Sequence, residues 1–306
     1  MDERELRAEL ARESFGARTL YASDVVTIGV TRCGPEHAQF VDPGPVGAHC
    51  LLLPESSVLV ERPKRRPFAS CPNQVVFHPR GQAVRRRAIG RDGDDHTWFA
   101  LPDGEEVEPF GCALPTATRA LPFDDRTWDP RWELVRKALV RELCTSAAPD
   151  ALWVEEIALA LVGAGLCHLE RTGNEPPRRP VSSRERDLCE RAQHVLRARF
   201  REAVTLSELA TDVGCSHFHL ARVFRRVTGS TLHSYRARLR ALAALEAVLA
   251  GSVPFRDLSN ELGYASPSHF TQSFRRAFAM APTELVRSWT RDARGLIREL
   301  TAELEA

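Results

Sequence analysis

The chain lacks the sequence features of several protein classes. Its first residues, Met1 to Arg7, are too charged for a secretory signal, and its longest apolar run, Ile157 to Cys167, is shorter than the ~18 residues of a membrane span. The 8 cysteines among its 306 residues form no C-x-x-C pair, which argues against a disulfide framework or a zinc site. We therefore expect a soluble cytoplasmic protein without a membrane partner, whose thiols are unpaired and mostly buried.

Enzyme motifs are missing as well. The sequence contains no G-x-S-x-G, no phosphate-binding loop, no H-E-x-x-H and no dinucleotide fingerprint. His49, His78 and His96 lack the H-x-H…E spacing of a cupin metal site, and the segment Asp94 to His96 is expected to form a polar turn. We expect no catalytic residue, no metal and no cofactor.

The net charge of +1 conceals an uneven distribution along the chain. Residues 184–291 contain 17 arginines and 10 acidic residues, whereas residues 1–183 contain 23 basic and 27 acidic residues. A basic segment joined to an acidic one indicates a polyanionic partner for the C-terminal part alone. The alternative is a charge-rich helical surface that is merely solvated.

The spacing of apolar residues changes along the chain and divides it into segments. Short apolar runs between turns rich in proline and glycine predict strands over residues 20–115, and helical spacing begins near residue 130. A segment rich in proline and polar residues then predicts a linker. We predict a sensory or dimerisation domain over 1–171 (β-rich to about 115, helical over 130–170), a linker over 172–183, a DNA-binding domain over 184–290 and a tail over 291–306.

An internal repeat is the most informative feature. The segment His219–Arg226, HLARVFRR, is echoed by His269–Arg276, HFTQSFRR, 50 residues later. Each copy follows a short amphipathic segment and a glycine, Gly214 or Gly263, which is typical of a tight turn after a helix. The repeat therefore predicts two helix-turn-helix units, with recognition helices at 216–228 and 266–278.

The segment between the two copies predicts a rigid connector. From Leu232 to Leu249 apolar residues recur in steps of three or four, which indicates one helix of 18 residues. At ~1.5 Å per residue this helix is about 27 Å long, close to the about 34 Å after which the major groove returns to one face of DNA. The natural partner is double-stranded DNA.

These residues resemble the AraC/XylS family of bacterial transcriptional regulators, whose DNA-binding domain is two helix-turn-helix units joined by a long helix. The matching positions are Leu209, Ala210, Gly214, Ser216, Leu220, Phe224, Gly229, Tyr235, Arg240, Leu258, Gly263, Tyr264, Ser268, Phe270, Phe274 and Pro282. The chain departs from the family pattern near the end of the second unit. Ser259 replaces the usual alanine, Ala279 a glycine and Leu285 a tyrosine, and Arg287 comes one residue late.

The resemblance implies a sequence-specific DNA-binding regulator, such as an activator of transcription. The N-terminal half resembles, less distinctly, the cupin-like effector or dimerisation domain of that family. The predicted fold is therefore α+β, with a cupin-like β-domain and trailing helices followed by an all-α domain. The partners implied are double-stranded DNA, a second copy of the chain as a homodimer, RNA polymerase and a small-molecule effector of unknown identity.

The predicted DNA contacts lie on the outward faces of the recognition helices. They are Ser216, Phe218, Ala221, Arg222, Arg225, Arg226, Ser266, Ser268, Thr271, Gln272, Arg275 and Arg276. The guanidinium of Arg222 is suited to hydrogen-bond guanine, and the amide of Gln272 is suited to hydrogen-bond adenine. The pairs Arg225–Arg226 and Arg275–Arg276 would hold phosphates. The serines at the helix starts are expected to cap them. Phe218 either packs on a thymine methyl group or folds back on its neighbours, and Arg222 has the alternative of a solvated surface residue.

Several sequence features have more than one possible role. The apolar stripe Ile157–Leu169 fits a dimer seam or a helix that caps the β-domain, and His219 and His269 fit packing or surface positions better than metal ligation. Arg85–Arg87 would suit an anionic effector, although the alternation of a strand divides them between two faces. Two other functions remain open, namely a cupin-type enzyme with an accessory helical module and a regulator that senses redox state through a cysteine of low pKa.

Overall fold

The computed structural model describes residues 2–13, 15–41, 44–63, 67–89, 93–102, 128–173, 182–251 and 253–305. The chain divides into two compact units, one made of Met1–Glu175 with Leu300–Ala306 and the other of Pro176–Glu299. Most of the predicted linker 172–183 and the end of the predicted β-region, from residue 103 to 115, lie outside the described residues. The predicted domain boundaries stay predictions.

The first unit consists of antiparallel sheets and helices. Its elements are α1 (Glu3–Leu10), β1 (Phe15–Ala22), β2 (Thr27–Cys33), α2 (Ala38–Val41), β3 (His49–Pro54), β4 (Val58–Glu61), β5 (Phe68–Ser70), β6 (Val76–His78), β7 (Arg85–Ala88), β8 (Asp94–Leu101), α3 (Arg131–Thr145) and α4 (Ala151–Gly173). One sheet has the order β1-β2-β8-β3-β6 and the other the order β5-β4-β7, and all neighbouring strands are antiparallel. The predicted α+β class is confirmed, whereas the cupin-like detail stays a prediction.

Strand β8 corrects one expectation. The segment Asp94 to His96 is not a polar turn, because it begins the central strand of the larger sheet and is buried. Both carboxylates are neutralised by arginines from elsewhere in the unit, Asp94 by Arg86 and Asp95 by Arg7. Burial is tolerated here because each charge is paired.

Helix α4 caps the β-domain. Its apolar stripe, including Ile157 and Leu161, is buried, and Gly165 packs so closely that a Cβ there would lie 3.1 Å from Leu51 and Val75. Of the two predicted roles, the structure therefore shows the capping helix. By length and composition alone α4 could cross a membrane, but 61% of its apolar window, Ala151–Leu169, is buried. That burial is typical of the core helix of a globular unit.

Helix α1, which the sequence pattern did not reveal, is joined to the rest of the first unit by buried ion pairs. The side chain of Arg136 on α3 is fully buried and lies 3.2 Å from the carboxylate of Glu3, 2.9 Å from Glu55 and 2.6 Å from Glu133. Arg7 of α1 pairs with Glu3 and Glu55 as well. The network therefore connects α1, the turn after β3 and α3.

The second unit is helical in its described part. Its elements are α5 (Ser183–Arg199), α6 (Leu206–Asp212), α7 (His217–Thr228), α8 (Leu232–Ala250), α9 (Phe255–Glu261), α10 (Pro267–Phe278) and α11 (Pro282–Glu305), whose last residues belong to the first unit. The structure has the two predicted helix-turn-helix units, α6–α7 and α9–α10, joined by α8. Residues 291–306, predicted only as a tail, lie largely within α11 beyond a break at Asp292. Their helical spacing of buried residues, Ile297 and Leu300 among them, was present in the sequence.

Candidate nucleic-acid interface

The first helix-turn-helix unit is fixed by capping residues at each end of its helices. Thr205 begins α6 with a capping box, and Gly214 follows α6 with a φ of +75°. The hydroxyl of Ser216 accepts from the backbone N–H of His219 at 3.3 Å, and Gly229 ends α7 with a φ of +72°. The capping role predicted for Ser216 and the turn role predicted for Gly214 agree with this geometry, and Gly229 has the same left-handed conformation at the end of α7.

The inner face of α7 is apolar and fully packed. Leu220, Val223 and Phe224 are each 0% exposed. They belong to one cluster with residues of α5 and α6, and the ring of Phe224 meets the edge of Tyr235 with centroids 5.5 Å apart. This burial fixes the rotation of α7 about its axis, so the opposite face is turned outward.

The outward face of α7 carries four of the predicted contact residues. Phe218 is 79% exposed, with its ring centroid 4.2 Å from that of His217. Ala221, Arg222 and Arg225 are also exposed. Within the described residues, neither of these two arginines has an acidic partner. The face is therefore a free basic surface with one exposed aromatic ring.

Arg226 differs from its neighbour Arg225. Its side chain is half-buried, and its guanidinium pairs with the carboxylate of Glu185, the acidic residue of the capping box at the start of α5. Both arginines are predicted phosphate contacts, but of the two only Arg225 lacks an acidic partner within the described residues. The sequence pattern did not show this difference, because the partner lies 41 residues away.

The second unit repeats this construction with a longer turn. The hydroxyl of Ser266 accepts from the N–H of His269 at 3.1 Å, and Pro267 begins α10. Two residues separate Gly263 from the capping serine, whereas only Cys215 separates Gly214 from Ser216. The second turn is therefore one residue longer than the first.

Aromatic residues pack the inner face of α10. Phe270, Phe274 and Phe278 are each 0% exposed, with centroid distances of 5.9 Å and 4.7 Å between successive rings. Tyr264 meets Phe270 edge-on at 5.4 Å. This buried face fixes the orientation of α10, as Leu220, Val223 and Phe224 fix that of α7.

The outward face of α10 carries the second set of predicted residues. Ser268, Gln272, Arg275 and Arg276 are exposed. Arg275 lies 3.8 Å from the carboxylate of Glu284 but is still 58% exposed. Thr271 is half-buried and its hydroxyl donates to the carbonyl of Pro267 at 3.0 Å, so it is less accessible than the neighbouring Gln272.

A residue that the site prediction missed joins the two helix-turn-helix units. Arg240 of α8 donates from Nε to the carbonyl of Phe200 at 2.6 Å and from Nη2 to that of Glu202 at 3.0 Å. Its guanidinium also lies 5.7 Å from the ring centroid of Tyr264, in the turn of the second unit. One buried side chain therefore contacts the entrance to the first unit and the turn of the second.

Gly263 lies at the same junction between the two helix-turn-helix units. Its φ is +71°, and a Cβ at this position would overlap the carbonyl oxygen of Arg201. The second turn thus lies directly on the backbone that leads into α6. Arg240 and Gly263 together hold the two helix-turn-helix units in one arrangement.

Four of the described thiols, those of Cys33, Cys50, Cys144 and Cys215, are unsuited to rapid redox sensing. These four are free cysteines, whereas Cys112 lies outside the described residues. Burial raises the pKa of Cys50 and of Cys144 to about 11 and also raises the pKa of Cys33 and Cys215. These four thiols are therefore protonated at neutral pH and poorly nucleophilic.

Comparison with known proteins agrees with this geometry. The family model described as a helix-turn-helix domain matches residues 209–288. The regulatory protein SoxS of Escherichia coli is 32% identical over 83 residues, which cover 27% of this chain and 78% of SoxS. The chain belongs to the AraC/XylS family. Another member, the virulence regulon transcriptional activator VirF of Yersinia enterocolitica, is 28% identical over 138 residues, so the chain spans 46% of that relative, about half its length.

Two solved structures match this chain as well. An AraC-type regulator from Chromobacterium violaceum matches 36% of this chain and 99% of its own, with 22% identity and a TM-score of 0.33. ToxT from Vibrio cholerae matches 90% of this chain and 98% of its own, with 10% identity and a TM-score of 0.35.

Proposed function

We propose that this AraC/XylS family member is a sequence-specific DNA-binding regulator of transcription, with α7 and α10 as its recognition helices. The observation that carries the proposal is the pair of capped helices with exposed polar and basic faces, held by α8 and Arg240. Each face is complementary to a major groove, into which a single helix fits. Two such helices would enter successive segments of the groove.

The exposed side chains take different roles in this proposal. Arg222 bridges guanine O6 and N7, and Gln272 bridges adenine N6 and N7. Phe218, exposed and apolar, packs on a thymine methyl group. Arg225, Arg275 and Arg276 hold phosphates, as do the free N–H groups at the helix starts capped by Ser216 and Ser266. Arg226 contributes less, since Glu185 already neutralises it.

The first unit supplies the regulatory input in this proposal. Family membership supports a role in effector sensing or dimerisation, with the active form a homodimer that binds promoter DNA in the cytoplasm and contacts RNA polymerase. The relatives named above are transcription regulators, which favours this function over a cupin-type enzyme. The raised pKa values of Cys33, Cys50, Cys144 and Cys215 disfavour a redox sensor that uses one of these four thiols.

Selection of genomic fragments with the purified full chain tests the proposal. We expect enrichment of one sequence motif at about 50 mM salt and weaker binding at about 200 mM, because phosphate contacts release counterions. Arg222→Ala is expected to relax the motif at one base pair, a change worth about 1–3 kcal/mol. Arg298→Ala, which removes an exposed arginine far from both recognition helices in sequence, is the matched control. No binding to any fragment at low salt, with or without cell extract as a source of effector, would falsify the proposal.

A further inference from the structure

A groove of about 570 Å³ lies between α6, α7 and the start of α8, at the first helix-turn-helix unit. Its apolar lining residues are Leu196, Val204, Leu206, Leu209 and Leu232. Leu196 and Leu209 belong to the buried core of the unit, whereas Leu206 is 40% exposed. The groove therefore exposes apolar surface to solvent.

Three arginines line the same groove. Arg222 and Arg225 extend from α7, and Arg236 extends from α8. Arg222 and Arg225 are exposed and have no acidic partner within the described residues. Arg236 donates to the backbone carbonyl of Val204 at 2.9 Å, which leaves its positive charge without a counterion in that contact. None of the described residues that line the groove is acidic, so it combines an apolar wall with positive charge.

DNA binding accounts for the arginines of this groove but not for its apolar wall. A duplex would present a base edge to Arg222 and a phosphate to Arg225. Neither of these groups gains from the exposed apolar side chain of Leu206. Exposed apolar surface beside a few fixed polar groups is typical of a binding site for a ligand that has both properties.

We propose that the groove binds a small amphipathic anion, whose carboxylate or sulfonate pairs with the arginines while its hydrophobic body covers Leu206 and Leu232. Small-molecule sites have volumes of about 300–1,000 Å³ and are mostly apolar, with a few polar groups that orient the ligand. An engineered cavity of about 150 Å³ holds one benzene ring. A groove of about 570 Å³ therefore has room for about three rings.

Such a ligand would keep DNA away from the first recognition helix. Arg222 and Arg225 line the groove and also lie on the outward face of α7, so they cannot pair with the ligand and with DNA at the same time. Inhibition would then be direct and would require no change of conformation. This consequence rests on the proposed function, whereas the binding of the anion does not.

Fluorescence titration of the full-length protein with two matched probes tests the site. The probes are 1-anilinonaphthalene-8-sulfonate and N-phenyl-1-naphthylamine, which share their three rings and differ in the sulfonate. Both become brighter in apolar surroundings, so each binding curve is read from its own probe. We expect the sulfonate to bind more tightly by about fivefold or more, because charge-assisted hydrogen bonds to the arginines add to the same apolar contact.

Three variants locate the binding. The double variant Arg222→Ala/Arg225→Ala is expected to lose most of the preference for the sulfonate and to keep its affinity for the neutral probe. Leu206→Ala is expected to weaken the binding of both probes by about threefold, because apolar contact is lost. Arg298→Ala, an exposed arginine that does not line the groove, is expected to change neither affinity. All these side chains are exposed, and thermal unfolding checks that each variant is folded.

Four results overturn the proposal. Equal affinity for the two probes excludes a role for the charge of the ligand, and a preference that survives the double substitution places the sulfonate elsewhere. An affinity for the probes that falls as the protein concentration is raised shows that a second copy of the chain covers the groove. The fourth result is that neither probe binds.

A second readout separates this site from the proposed function. The affinity for the selected DNA is measured with the sulfonate probe at about ten times its Kd, where competition should weaken DNA binding about tenfold. Sodium methanesulfonate at the same concentration controls for ionic strength. Binding of the probe without a change in DNA affinity overturns the exclusion of DNA and leaves the ligand site standing. Failure of all DNA binding removes the proposed function, while the comparison of the two probes still decides the site.

Discussion

At the scale of single residues, the neighbours Arg225 and Arg226 have different environments despite their identical chemistry. Arg225 is exposed and has no acidic partner within the described residues, while Arg226 pairs with Glu185. We expect Arg225→Ala to lower the salt dependence of DNA binding by about one unit of slope with little effect on stability. Arg226→Ala is expected to lower the thermal stability and to leave the slope nearly unchanged. Binding at several salt concentrations, together with thermal unfolding of both variants, checks this. A loss of slope as large for Arg226 as for Arg225 contradicts it.

Ala279 is a second residue whose surroundings make a prediction. It ends α10 with a φ of +61°, in the left-handed region that favours glycine. Because a side chain there is strained by about 1 kcal/mol, Ala279→Gly is expected to raise the free energy of unfolding by about 0.5–1 kcal/mol. Ala277→Gly, inside the same helix, is expected to lower it by about 1 kcal/mol. Denaturant unfolding measures both, and the same sign for the two variants would count against the strain.

At the scale of elements, sequence patterns predicted local features well and long-range partners poorly. The serine caps, the turn glycines and the outward faces of the recognition helices depend on residues within one or two helical turns, so spacing alone indicated them. The burial of Asp95 in β8 depends on Arg7, which lies 88 residues away. The contact of Arg240 with the segment before α6 spans 40 residues and ends on backbone carbonyls, which carry no sequence signal. The sequence therefore predicted the individual residues of the candidate site. It did not predict the contacts of Arg240 and Gly263 that hold the two helix-turn-helix units together.

The two turn glycines provide a matched test of that junction. Gly214 and Gly263 both have positive φ, +75° and +71°. A Cβ added at Gly214 would meet no neighbouring atom within 4 Å, whereas a Cβ at Gly263 would overlap the carbonyl of Arg201. Gly214→Ala is expected to lower the free energy of unfolding by about 1 kcal/mol. Gly263→Ala is expected to lower the free energy of unfolding by more than Gly214→Ala does. It should also weaken DNA binding, because the added Cβ pushes the two helix-turn-helix units apart. Equal effects in denaturant unfolding would show that the contact at Gly263 is unimportant.

Acid should loosen the attachment of α1 to the first unit. Burial alone would raise the pKa of Glu3, but Lys137, Arg136 and Arg7 together lower it from 4.5 to about 2. A carboxylate with a lowered pKa stabilises the fold above its unfolded pKa, and this contribution is lost as the pH falls from about 4.5 to about 2.

We expect Glu3→Gln to be less stable than the unaltered protein at pH 6. Below pH 4.5 the free energy of unfolding of this variant should fall less steeply with pH, because unfolding takes up about one proton fewer. Glu9→Gln, on the same helix but paired with Arg18 at the surface, is the control. Thermal unfolding of the three proteins across this pH range checks the prediction. Parallel curves for Glu3→Gln and the unaltered protein would exclude Glu3 as the titrating group.

At the scale of the whole molecule, the charge asymmetry follows the division of roles that we propose. The excess of acidic over basic residues lies in residues 1–183, which include most of the first unit, and the excess of arginine lies in residues 184–291, which contain both recognition helices. An acidic first unit would be repelled by DNA, so binding is directed to the second. In this proposal, long-range electrostatics would orient the protein before any base is contacted.

The rigid junction makes a prediction about how the two recognition helices are used. Helix α8 has 19 residues, which at ~1.5 Å each is about 28 Å, shorter than the groove repeat of about 34 Å. Since Arg240 and Gly263 prevent the units from adjusting, we expect the DNA to bend toward the protein when both helices enter. Arg222→Ala and Gln272→Ala should then relax the selected motif at two positions about 10 base pairs apart.

Fragment selection with the two single variants and the double variant separates joint from single engagement. If both helices bind together, the double variant should lose selectivity at both positions, with free-energy changes that add, because the two side chains share no partner. If Gln272→Ala leaves every position of the motif intact, only α7 reads bases. The exposed Arg275 and Arg276 would then still contribute phosphate contacts, and their removal should lower the salt slope without changing the motif.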